Sequence, residues 1–137
     1  MEQPFSMHMR YTEDAVLLDL QGELNKPAEG LLLGSHPWEE GLQGGRLCLV
    51  LNLQEINYIN SAGMALLIRL ARAGKTGKYH TFAYGVSEHY QKLFRMVGLT
   101  EYMMIYPEEQ AVKERIAALR EASSKGDEGD GDVRPEE

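Results

Sequence analysis

The chain alternates short apolar runs with segments of helical periodicity. From Phe5 to Tyr11, Phe5, Met7, Met9 and Tyr11 alternate with Ser6, His8 and Arg10. A period of two predicts a strand with one wet face. Thr12-Glu13-Asp14 is a polar turn, and the apolar run Ala15 to Leu20 completes a hairpin that Gly22 ends. Asn25 is placed to cap a helix with Pro27 in its first turn. Gly34 and Pro37 interrupt that helix, so a two-part helix is predicted over 27–43, with Trp38 and Leu42 packing inward. Gly44-Gly45 is a turn. Arg46 to Leu53 contains five consecutive apolar residues, the pattern of a central strand buried on both faces.

An extended connection over 54–60 leads to Ser61. A helix over 62–74 follows, because Met64, Leu67, Ile68 and Ala71 keep the i, i+3, i+4, i+7 spacing. Lys78 to Gly85 predicts a strand with alternating faces. Ser87 then caps a helix whose stripe is Tyr90, Leu93, Phe94 and Val97, ended by Gly98. Tyr102 to Tyr106 is a short strand. Pro107 opens the last helix, with Val112, Ile116 and Leu119 on its apolar face. The order β-β-α-β-α-β-α-β-α predicts a single α/β domain over 3–120, with a mostly parallel mixed sheet, an N-terminal antiparallel hairpin and about four helices.

Charge changes the picture at one end. Of a net −7, residues 121–137 carry seven acids against two bases, leaving the first 120 residues close to neutral. That segment has almost no apolar residues and reads as an acidic disordered tail. A basic footprint for nucleic acid is missing. No apolar run reaches membrane-spanning length, and the N-terminus lacks the pattern of a signal peptide. A single cysteine, Cys48, flanked by leucines, suits a buried thiol in a reducing compartment. The expectation is a cytoplasmic protein, monomeric when free.

Catalytic patterns are missing. The glycines form neither a dinucleotide fingerprint nor a P-loop. The four histidines are scattered, Glu39-Glu40 and Glu108-Glu109 read as solvated helix faces, and no nucleophile elbow surrounds Ser61. No cofactor or metal is implied. One junction stands out: a buried strand runs through Asn60-Ser61-Ala62-Gly63-Met64 into a helix. A serine there lies where backbone N–H groups lack intrahelical partners, at the positive end of the dipole. Ser61 is either the N-cap or a hydroxyl at which a phosphate is well tolerated.

The segment Leu49-Val50-Leu51-Asn52-Leu53, followed by Ile56-Asn57-Tyr58-Ile59-Asn60-Ser61-Ala62-Gly63-Met64, resembles the signature of the STAS domain. That family includes anti-sigma factor antagonists and the cytoplasmic domain of sulfate transporters. Gly22-Glu23-Leu24-Asn25 is similar to its "G-E-L-D", and Val86-Ser87 through Gly98-Leu99 to its "S-x-x-V-x-x-[LI]-[LF]-x-x-x-G-L". The resemblance implies a regulator rather than an enzyme. In bacterial partner switching, the unphosphorylated antagonist binds an anti-sigma factor that is also a serine kinase. Phosphorylation releases it, and a metal-dependent phosphatase resets it. By position the phosphorylated residue is Ser61, and the partner surface is Glu23, Asn25, Asn60, Ser61, Ala62, Gly63 and Met64. The chain departs from the pattern at two acids, since Asn60 and Asn25 stand where the family has Asp. The alternative is an interaction or scaffold module whose binding ignores the state of Ser61.

Overall fold

A computed structural model describes residues 4–129, with side chains through residue 122. Five strands form one sheet in the order β1-β2-β3-β4-β5. They are β1 (Ser6–Tyr11), β2 (Ala15–Leu24), β3 (Cys48–Ile59), β4 (His80–Tyr84) and β5 (Met104–Tyr106). The β1–β2 pair is antiparallel and the other three pairs are parallel. The helices are α1 (Lys26–Leu33), α2 (Ser61–Gly77), α3 (Glu88–Met96) and α4 (Glu109–Gly129). The predicted fold class and order of elements match this architecture.

Strand parity sorts the core into two layers. Val16, Leu18, Leu20, Leu49, Leu51 and Ala83 face Ala28 and Leu32 of α1, Leu66, Leu67 and Leu70 of α2, and Phe94 of α3. Ala15, Leu17, Cys48, Val50, Phe82 and Tyr84 face Val112 and Ile116 of α4 on the opposite side. Three parallel crossovers laid down in one direction put α1, α2 and α3 on one face. Among the described residues, α4 alone covers the other.

Several boundaries differ from the sequence reading. β2 passes through Gly22 to Leu24, because the glycine takes φ 93° inside the strand and the register shifts beside it. Glycine absorbs that bulge without a Cβ penalty, and pairing with β3 resumes. β3 is correspondingly longer than 46–53: its polar half pairs with β2 as far as Leu24↔Ile59. The predicted two-part helix is α1 followed by single 3₁₀ turns at Trp38–Glu40 and Gln43–Gly45. Trp38 and Leu42 are buried as expected, but Leu42 lies outside any helix. The Trp38 indole N–H donates to Leu32 O at 3.0 Å, so the turn folds back on α1.

β4 is buried on both faces over Thr81 to Tyr84 rather than alternating, since helices cover both sides of the sheet. β5 starts at Met104, after a 3₁₀ turn at Leu99–Glu101. Val97, placed on the buried stripe of α3 by periodicity, is half exposed because the helix has already ended at Met96. α4 starts at Glu109 and continues through Gly129, past residue 120 where the sequence reading ended it. Glu121 and Ala122 are good helix formers, and no Pro or Gly interrupts before Gly126. The rest of the predicted tail, 130–137, lies outside the described residues.

Candidate functional site

The site forms where β2 and β3 end together. Glu23↔Tyr58 and Leu24↔Ile59 are the last parallel pairs. An asparagine follows each strand and caps the next helix. Asn25 leaves extended backbone, and its side-chain oxygen accepts the Ala28 N–H at 3.2 Å. Asn60 does the same for α2, accepting the Gly63 N–H at 2.9 Å while its carbonyl takes the Met64 N–H at 2.9 Å. Each cap satisfies a backbone donor that the helix leaves open.

The N-cap of α2 is therefore Asn60, not Ser61. The physical reason is the close approach of α2 to β2. The Asn60 N–H donates to Leu24 O at 3.1 Å, and Gly63 packs directly on the Leu24 peptide, where a Cβ would collide with backbone. The helix must begin by Ser61 for Gly63 to reach that contact. Ser61 becomes the first helical residue, exposed, with no side-chain hydrogen bond among the described residues. Its hydroxyl is open to another molecule at the positive end of a 17-residue helix.

All seven residues singled out from sequence lie along this junction. Glu23, Asn25, Asn60, Ala62 and Met64 are half-buried, Gly63 is buried and Ser61 is exposed. Three neighbours were not foreseen. The Tyr90 hydroxyl accepts the Ile59 N–H at 2.9 Å and ties α3 to the end of β3. Tyr58, 52% exposed, is the second-last residue of β3 and pairs with Glu23. Glu29 receives Lys26 at 2.8 Å and Arg69 at 2.8 Å, joining α1 to α2. Hydrogen bonding from Lys26, then from Arg69, holds the Glu29 carboxyl below its ordinary range. The Lys26–Glu29 spacing of three was legible as a helix-face pair; Tyr90 and Arg69 carry no local signal.

The strongly perturbed acids lie elsewhere. Arg10 of β1 holds Asp19 of β2 at 2.7 Å and Glu109 of α4 at 3.3 Å. Tyr84 donates to Glu109 at 2.8 Å, and Asn52 donates to Asp19 at 2.8 Å. Arg10 pulls the Glu109 carboxyl down to about 2, and burial pushes the Tyr84 phenol up to about 12. This cluster fastens α4 to its own face of the sheet, apart from the strand ends that lead to Ser61. Among the described residues, no three His, Cys, Asp or Glu side chains are placed to hold a metal.

The STAS domain family model matches residues 6–112. The chain belongs to the STAS domain family. The anti-sigma factor antagonist SpoIIAA in its unphosphorylated form shares 23% identity, with a TM-score of 0.63 over 80% of this chain and 95% of that one. The phosphorylated form of SpoIIAA, the Bacillus cell fate determinant, gives 23% and 0.62 over 80% and 98%. A variant of RsbS from Moorella thermoacetica gives 14% and 0.66 over 84% and 97%. At such identities the likeness is one of fold. No curated protein matches this STAS domain by sequence. No helix among the described residues is long and apolar enough to cross a membrane.

Proposed function

We propose that this STAS domain is an anti-sigma factor antagonist-type regulator, not an enzyme. It binds a serine-kinase anti-sigma factor, or a related switch protein, across Glu23, Asn25 and Asn60 to Met64. Phosphorylation of Ser61 releases it, and a metal-dependent phosphatase restores it. It works in the cytoplasm, free of membrane and nucleic acid, and is monomeric between partners. The observation that carries this reading is Ser61 itself: exposed, without a side-chain partner among the described residues, and first in a capped helix.

The chemistry supports a switch. A phosphate adds roughly −1.5 to −2 of charge and three acceptor oxygens. In the free protein that charge faces solvent, the open N–H groups of α2 and the favourable helix dipole. Neither neighbouring cap is a carboxylate, so the free phosphoprotein suffers no like-charge repulsion from them. Against a partner the same phosphate must be desolvated, which costs several kcal/mol unless a cation meets it. The modification thus penalises the complex far more than the free domain.

The same two asparagines favour the second reading, a constitutive interaction module. An amide keeps the capping bond but offers no charge to a kinase or to a partner's arginine. Phosphosite mass spectrometry on protein from its native cells separates the two. A species heavier by about 80 Da, mapped to Ser61 and absent from the partner-bound fraction, is the expected result. Unmodified Ser61 across growth and stress conditions, with binding unchanged in Ser61→Asp, would overturn the switch in favour of the constitutive module.

A further inference from the structure

The second half of α2 and the 3₁₀ turn Trp38–Glu40 enclose a cleft of about 470 Å³, within the range of small-molecule sites. It lies apart from the first turn of α2, where Ser61 stands. Glu39 and Glu40 line it from the turn, and Arg72 lines it from α2. Leu33, Pro37 and Ala73 add apolar surface.

The turn is pinned by contacts of its own. The buried Trp38 donates its indole N–H to Leu32 O at 3.0 Å, and the Tyr79 hydroxyl donates to Trp38 O at 2.8 Å. His36 Nε2 donates to Gly41 O at 2.7 Å, and its ring meets Trp38 edge-on with 4.8 Å between centres. Gly77 of α2 packs on the same backbone: a Cβ there would lie 3.0 Å from Trp38 O and 3.1 Å from Gly41 N. The backbone of both walls is therefore fixed before a ligand arrives, which lowers the cost of binding.

The cleft holds charges of both signs that do not meet. Among the described residues, Glu39, Glu40 and Arg72 make no ion pair, and all three are exposed. Arg69, which also lines the cleft, is taken by Glu29 at 2.8 Å. The Arg72 guanidinium lies 6.0 Å from the centre of the Tyr102 ring. Such a contact engages the face of the guanidinium and leaves its edge of N–H donors for a carboxylate. From the turn, two adjacent carboxylates offer themselves to a cation.

We propose that this cleft binds a small zwitterion of dipeptide size. Its ammonium meets Glu39 and Glu40, its carboxylate meets Arg72, and its apolar body lies on Leu33, Pro37 and Ala73. The size follows from the space: 470 Å³ is roughly 8 Å across, and two extended residues set their terminal charges about 7 Å apart. A free amino acid carries both charges on one carbon and does not span that width. A simple anion would face the two glutamates, and a simple amine would face Arg72. An ω-amino acid with the same charge separation shares the recognised chemistry. Each ion pair is exposed and weak, so the dissociation constant is about a millimolar. The inference does not depend on phosphorylation of Ser61.

The test is a titration of the full-length, isotope-labelled chain with leucyl-leucine, followed by amide chemical shifts. Saturable shifts should centre on residues 33–40 and 69–76. Blocking either charge of the ligand, as N-acetyl-leucyl-leucine or leucyl-leucine amide, should weaken binding about fivefold or more, and leucine alone should bind no better. R72Q should bind leucyl-leucine no tighter than the parent binds the amide, while binding the amide as the parent does. E39Q/E40Q should lose the preference for a free ammonium. Both variants should melt with the parent, since the replaced side chains are exposed. Titration with 6-aminohexanoate separates the two sources of this chemistry: tighter binding of leucyl-leucine assigns the site to peptides, and tighter binding of 6-aminohexanoate assigns it to ω-amino acids. Shifts centred elsewhere, affinity indifferent to both blocked ends, full binding by R72Q, or no saturable shift at about 10 mM of either zwitterion would overturn the proposal.

Discussion

Gly63→Ala is the most discriminating substitution in the molecule, because its effect opposes what the local sequence favours. In a helix interior Ala is better than Gly by about 1 kcal/mol. At Gly63 the new methyl would sit 2.7 Å from the Leu24 carbonyl carbon and 2.8 Å from Leu24 Cβ, with the carbonyl oxygen closer still. Leu24 cannot step aside: it is fully buried, pairs with Ile59, and its carbonyl accepts the Asn60 N–H. Overpacking against a fixed backbone costs about 3 kcal/mol, at the upper end of the usual range. The net expectation is a loss of about 2 kcal/mol, or a fall in Tm of roughly 6–8 °C for a domain of this size. Gly30→Ala is the internal control. It lies in α1 with nothing within 4 Å of the added methyl, so it should gain about 1 kcal/mol and raise Tm by roughly 3 °C. Thermal unfolding followed by far-ultraviolet circular dichroism measures both. If Gly63→Ala melts at or above the parent, the close seating of α2 on the end of β2 is wrong, and with it the geometry assigned to Ser61.

Three further outcomes follow from other parts of the structure. Glu109 has its carboxyl lowered from 4.5 to about 2, so its contribution to stability is complete above 4.5 and lost as pH falls through 2; Glu109→Gln should flatten the acid limb of the urea midpoint against pH, and an unchanged limb would refute the role of the Arg10 cluster. Asn60→Ala should cost about 1 kcal/mol whereas Asn60→Asp should stay within a few tenths, and equal losses in chemical denaturation would show that the side chain caps nothing. Burial, with a smaller contribution from Asp14, pushes the Cys48 thiol up to about 12; at about pH 8 it should react with a disulfide reagent only after unfolding, and rapid reaction of the native protein would contradict its packing between the sheet and α4.

The order of elements was legible because apolar runs and helical stripes are local signals. Leu47 to Leu51 announces a central strand, and Met64, Leu67, Ile68 and Ala71 announce α2, although its buried stripe is Leu66, Leu67, Leu70 and Ala71 while Met64 and Ile68 are half-buried. The second half of β3 was not legible. Gln54, Glu55, Asn57 and Tyr58 are exposed, so nothing apolar marks them as strand; they are extended because β2 continues past the bulge at Gly22 and pairs with them. The cap of α2 was ambiguous for a different reason. Asn60 and Ser61 are equally good capping residues, and the choice is made by Gly63 against Leu24, a contact between residues 39 positions apart. The Arg10–Glu109 pair spans 99 positions and joins the first strand to the last helix. No window of sequence contains both partners.

The candidate site residues come from resemblance, and the structure adds what Asn25, Asn60 and Gly63 do locally. Asn25 and Asn60 occupy equivalent places, each ending a strand and capping a helix, and the two strands are neighbours. Capping needs only one acceptor oxygen, so an amide serves as well as a carboxylate. Geometry at this junction is therefore independent of the charge that the family pattern carries there. The hydroxyl of Ser61 keeps its position and exposure while both neighbouring caps are uncharged, which leaves Glu23 as the acid of this candidate surface. A phosphate added there would meet two neutral caps rather than two carboxylates. Any partner that discriminates the two states of this domain must read the modification itself, against a background of helix dipoles and capped N–H groups.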